Sequence, residues 1–139
     1  MEPTNENLLT NEGPVKEKER HGCVTAWLVF IIVINSILAL VYLLASDMIT
    51  NNLPNPPSKS MILLLGLLGL ANVVFAVLLL KWKKIAFLGF VATGVAACGI
   101  NISIGLGIGQ SLFGLVGIGV LYGILQIKKD EVSAWDNME

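Results

Sequence analysis

Ionisable side chains are scarce in this chain, and where they are missing matters more than how few there are. Only 14% of the 139 residues are charged, against about a quarter in an ordinary globular protein. Four long runs contain no Asp, Glu, Lys, Arg or His at all. Proton relays, ion-coupled pumps and voltage sensors hold such residues inside the bilayer, so their lack argues against an active transporter. A hydrolase needs a nucleophile with a base, or a metal with its ligands. Ser36, Thr93, Ser103 and Ser111 have no base within their runs, and His21 and Cys23 stand without a further ligand cluster. Neither an enzyme nor a cofactor or metal site is expected.

Cysteine and aromatics are also few. Cys98 lies about 21 Å deeper than Cys23 at the helical rise, too far for a disulfide, which needs Cα atoms within about 7 Å. Aromatics make up 7% of the chain and do not alternate with basic residues, and the net charge is -1. That leaves no footprint for a nucleic acid.

What is present is apolar length. The composition is 55% hydrophobic, and the four runs cover about 24–45, 61–80, 85–108 and 110–127. Each approaches the roughly 20 residues needed to cross about 30 Å of hydrocarbon. All four are apolar around the whole helix, which excludes surface helices of a soluble protein. The first run is too long for the core of a signal peptide, and Leu43-Leu44-Ala45 lacks the small-x-small cleavage pattern. The sequence therefore predicts an all-α, four-helix transmembrane bundle over 22–129, with polar tails at 1–21 and 130–139. The loop with Pro54, Pro56 and Pro57 separates spans one and two, and residues 47–53 could make one amphipathic turn at the membrane surface, on which the four-span reading does not depend.

Basic residues set the orientation. Lys16, Lys18, Arg20, Lys81, Lys83, Lys84, Lys128 and Lys129 fall on one side of such a bundle, and only Lys59 on the other. Trp27, Trp82 and Trp135 cluster near the basic side. Both termini are expected in the cytoplasm.

Close packing must hold the spans together, because lipid tails are as apolar as leucine. In span three Gly89, Thr93, Ala97, Asn101, Gly105 and Gly109 recur every fourth residue. Gly99, Ser103 and Gly107 form a second ladder on roughly the opposite face. Span three is therefore expected between two partners. Span four offers Gly114, Gly117, Gly119 and Gly123, span two Gly66, Gly69, Asn72 and Ala76, and span one Asn35, Ala39 and Tyr42. The strict alternation over 99–109 would suit a strand in water, but an unpaired strand leaves its amides unsatisfied in lipid. Helix is expected there, with local unwinding near 105–110 as the alternative. Gly66-Leu-Leu-Gly-Leu-Ala71 and Gly114-Leu-Val-Gly-Ile-Gly119 hint at a duplicated hairpin.

The remaining polar groups at depth are Asn35, Asn72 and Asn101, with Tyr42. Counted from the basic side, Asn35 lies about 18 Å deep and Asn72 about 13 Å, close enough to share a layer. Asn101 lies at about 25 Å, level with Tyr42. Two readings stay open. In one, the asparagines are interhelical hydrogen-bonding groups of a non-enzymatic protein that acts through lipid, through a second copy or through another membrane protein. In the other, they line a polar path through a small oligomeric channel or transporter.

From Gly22 onward the chain resembles a group of small four-span bacterial membrane proteins with no assigned function. The pieces that carry the likeness are Lys81-Trp-Lys-Lys84 with Gly89-Phe90, Ile100-Asn-Ile-Ser-Ile-Gly-Leu106, Ser111-Leu-Phe-Gly114, Leu121-Tyr-Gly-Ile-Leu-Gln-Ile-Lys128 and Ser133-Ala-Trp135. The resemblance implies a bacterial inner membrane and supplies no substrate, cofactor or catalytic residue.

Overall fold

The computed structural model describes residues 19, 21–52, 56–129 and 131–139. Expectations for the N-terminal tail, apart from residues 19 and 21, and for Pro54 and Asp130 lie outside them. Four helices are long and apolar enough to cross a membrane: α1 (Gly22–Leu44), α3 (Lys59–Leu80), α4 (Ile85–Ser103) and α5 (Ile108–Leu125). The chain is a multi-pass helical membrane bundle. Its outer face carries bare apolar side chains, among them Leu44 at 82% and Phe113 at 78% exposure. Soluble monomers rarely expose such contiguous apolar surface, and hydrocarbon is the solvent that suits it.

The helices pack in sequence, α1 on α3, α3 on α4 and α4 on α5, while α5 returns to α1 only weakly. Span three thus lies between two neighbours, but the ladders do not all face them. A Cβ at Gly66 would lie 2.9 Å from Leu43, at Gly69 3.3 Å from Ala39 and at Gly89 2.6 Å from Phe75, and at Gly94 it would press on Ile118. Gly69 is the tightest backbone approach, since the Ala39 Cα is only 3.6 Å away. Around Gly99, Gly107, Gly114, Gly117, Gly119 and Gly123 a Cβ would meet nothing within 4 Å. Composition shows that these positions are small; only the fold shows that no neighbour among the described residues faces them.

Two predicted rungs serve a turn instead. Span three ends at Ser103, short of residue 108, because Gly105 adopts φ 81°. Gly105 N donates to Ile102 O at 3.1 Å and Leu106 N to Asn101 O at 3.0 Å. That is the Schellman pattern, which satisfies carbonyls a helix end leaves open. Gly107 then caps α5, accepting from Ser111 N at 3.0 Å and Ser111 Oγ at 3.1 Å. Unwinding therefore centres on 104–107, and span four starts at Ile108 rather than 110. At the other end of the bundle α3 closes in the same way with Trp82 in the glycine position, at φ 66°. Lys83 N reaches Leu78 O at 2.9 Å and Trp82 N reaches Leu79 O at 3.0 Å.

The short helix α2 (Ser46–Asn52) follows α1, anchored by buried Ser46. The exposed Lys59 and Asp47 pair at 2.8 Å, a surface contact of little weight.

The segment beyond 130 folds back on the bundle. Strands β1 (Lys128–Lys129) and β2 (Val132–Ser133) pair antiparallel, and a one-turn helix α6 (Ala134–Asn137) follows. Ser133 Oγ accepts from Asp136 N at 3.2 Å, and Asp136 Oδ2 accepts from Ser133 N at 3.3 Å, a reciprocal capping box. This hairpin folds over the lysine-rich end of the bundle. Ala134 and Met138 are buried in the same cluster as Val24, Leu28, Leu79, Phe90 and Leu125. Glu139 N donates to Trp82 O at 2.8 Å, and Lys84 N to Glu139 O at 2.6 Å. The apolar residues Trp135 and Met138 are too sparse to announce themselves as core in a polar stretch, but each fills a gap between helix ends.

Candidate intramembrane polar site and lateral groove

Two apolar clusters divide the bundle. One, at the lysine-rich end, takes residues from all four long helices and the terminal hairpin. The other, near the α4–α5 turn, gathers Ile62, Leu65 and Ile104 with Tyr42, Ala97 and Ile100 around them. Between these clusters lies a polar layer.

Its members are Asn35 of α1, Asn72 of α3 and Thr93 of α4. Asn35 Nδ2 donates to the carbonyl of Ile31, one turn back, at 2.9 Å. That bond fixes the rest. With its amide nitrogen committed to a carbonyl, Asn35 presents Oδ1 to α3, where Asn72 Nδ2 donates to it at 3.2 Å. Asn72 Oδ1 then faces Thr93 and accepts from its hydroxyl. Thr93 Oγ1 also lies 2.9 Å from Gly89 O and 3.1 Å from Phe90 O. A hydroxyl carries one proton, and Asn72 Oδ1 is the acceptor with no other donor. One directional chain of bonds therefore ties three helices.

Thr93 enters the sequence reading only as a small rung of the span-three ladder. Its pairing with Asn72 depends on the rotation of α3 against α4, which spacing alone does not give. Asn101 stands apart from this layer: its Oδ1 is buried and has no hydrogen-bond partner among the described residues. Tyr42 packs in the second cluster and against Gly66. Ala97 lies in that cluster, while Gly99 and Ser103 are exposed, with Ser103 Oγ bonded to Gly99 O at 2.8 Å.

Because α5 barely returns to α1, a groove of about 470 Å³ opens between them. Its walls are Trp27, Phe30, Ile34 and Leu38 of α1 and Phe113, Gly114, Gly117 and Leu121 of α5; Asn35, Asn72 and Phe90 lie at its floor. Trp27 Nε1 is buried with no partner among the described residues. Sequence reasoning missed this groove, since no pattern of residues says which pair of neighbours fails to close.

At the lysine-rich end of the bundle, Trp135 meets Phe87 edge-on at 5.4 Å and Tyr122 at 5.5 Å, and Lys84 Nζ lies 4.6 Å over its ring. The Asp136 carboxyl is held below its ordinary value, chiefly by hydrogen bonds from the Ser133 side chain and backbone, with Lys84 and Lys128 adding attraction. His21 Nδ1 caps α1 by accepting from Cys23 N at 3.2 Å. Cys23 is exposed, Cys98 is buried, and both are free thiols. Among the described residues no group of three or more His, Cys, Asp or Glu is placed to hold a metal. No protein family, curated protein or solved structure matches the chain.

Proposed function

We propose that this chain is a non-enzymatic protein of the bacterial inner membrane, with both termini in the cytoplasm, that works through lateral contacts with lipid and with other membrane helices. One observation carries the reading. The Asn35, Asn72 and Thr93 side chains tie α1, α3 and α4 together, and the only Asp, Glu, Lys, Arg or His within the four long helices is Lys59, the first residue of α3. Such a layer rigidifies a bundle and offers no general acid, base or nucleophile. The α5 surface is where a partner fits: Gly119 and Gly123 leave room for a close backbone approach that none of the described residues occupies. That partner is a second copy or another membrane protein.

The test is crosslinking in the native membrane from a photoreactive residue at Gly119. A discrete crosslinked species supports the contact reading; labelling of lipid alone contradicts the protein-contact part of it. The runner-up, a channel path lined by Asn35, Asn72 and Asn101, has less support. Asn35 and Asn72 bond each other, whereas Asn101 does not line the groove they share.

A further inference from the structure

We infer that the groove between α1 and α5 is a binding site for a neutral lipophilic carbonyl compound of the quinone class, held at mid-membrane depth. The inference goes beyond the contact reading and does not depend on which end of the bundle is cytoplasmic.

The first ground is hydrogen-bond supply. A side-chain amide carries two N–H donors. Asn35 spends one on Ile31 O, and Asn72 spends one on Asn35 Oδ1. Each keeps a second N–H, and both residues line the groove. In hydrocarbon no solvent satisfies such donors, and an unmet one is costly. The polar part of the groove lining thus includes two amides with an N–H left to offer an acceptor oxygen.

Depth and size select the acceptor. Asn35 lies about 19 Å along α1 from Gly22 at the helical rise, well inside hydrocarbon about 30 Å thick. The ester carbonyls of ordinary phospholipids sit at the interfaces and do not reach it. The groove volume of about 470 Å³ falls in the range of small-ligand sites. A small, mostly apolar ligand with one or two polar atoms suits a site of this volume and lining. Phe30, Phe90 and Phe113 offer faces for a flat ring, and an apolar tail leaves through the lateral opening.

The test uses the full chain in phosphatidylcholine nanodiscs with Trp82→Phe and Trp135→Phe, so that Trp27 reports alone. A decyl-tailed benzoquinone is titrated in, with decylbenzene as the carbonyl-free competitor. Expected are saturable quenching of Trp27 and a lowered carbonyl stretching frequency of the bound quinone. Binding should weaken about tenfold or more in Asn72→Leu. Because that variant also cuts the interhelical chain, Gly117→Phe fills the groove from α5 while leaving the polar layer intact, and should abolish saturation. Quenching that rises linearly and equally in Gly117→Phe would overturn the inference, as would displacement by decylbenzene at equal concentration, which marks a slot for any acyl chain.

Discussion

The amides of Asn35 and Asn72, 37 residues apart in the chain, meet at 3.2 Å with the α3 nitrogen donating to the α1 oxygen. Asn72 is the central member, bonded to α1 on one side and α4 on the other. Interhelical bonds in membranes contribute about 0.6 kcal/mol each and rarely above 1.7. Replacing Asn72 with Leu should therefore destabilise the bundle by about 1–3 kcal/mol. Thr93→Val, which cuts one bond, should cost less. Unfolding in mixed micelles measures both, and equal costs would contradict the central role of Asn72.

Gly69 and Gly119 form a matched pair for packing. The first faces the Ala39 backbone across α1, and a Cβ at the second would meet no neighbour within 4 Å among the described residues. Gly69→Leu should cost about 1–3 kcal/mol through overpacking and lengthen the nearby Asn35–Asn72 contact. Gly119→Leu should leave monomer stability unchanged. Any effect of Gly119→Leu on crosslinking from a photoreactive residue placed at Gly123 then reports a contact between proteins rather than a folding defect.

The terminal hairpin should behave as part of the bundle. Aromatic pairs of the Trp135 kind contribute about 0.5–1.5 kcal/mol each, and Trp135 makes two of them. Trp135→Ala should free the segment 128–139, so that trypsin cleaves after Lys128 at least tenfold faster than in the parent protein (about 1.4 kcal/mol of opening). Unchanged cleavage would mean that the hairpin is held elsewhere.

Asp136 gives that hairpin a pH dependence. Its folded value is lowered, first by the Ser133 hydroxyl and backbone and then by Lys84 and Lys128. A depressed carboxyl contributes stability above the ordinary aspartate range, and that contribution is lost as pH falls through the folded value. Trp135 emission in a Trp27→Phe, Trp82→Phe background should therefore hold steady down to the ordinary range and shift only below it. Ser133→Ala should move the transition to higher pH.

The membrane architecture was legible because hydrocarbon imposes it: uncharged runs of adequate length have one stable form there. The shared layer of Asn35 and Asn72 followed from counting residues along two helices. What counting could not give was rotation. Thr93 looked like one more small rung, and the outward α5 glycines looked the same as Gly69 and Gly89. Gly105 was ambiguous for a different reason, since a glycine that lets helices touch and one that ends a helix have the same side chain. The terminal hairpin escaped because Trp135 and Met138 bury themselves across the ends of other helices, leaving no periodic stripe of their own.

The most direct test of the four-span arrangement is sidedness, read with an impermeant thiol reagent in intact cells after Cys23 and Cys98 are changed to serine. Cysteine at Asn52 should be labelled from outside, and cysteine at Glu131 only once the membrane is opened. Labelling of both from the same side would require an even number of crossings between them in place of the three helices α3, α4 and α5, and the bundle described here would be wrong.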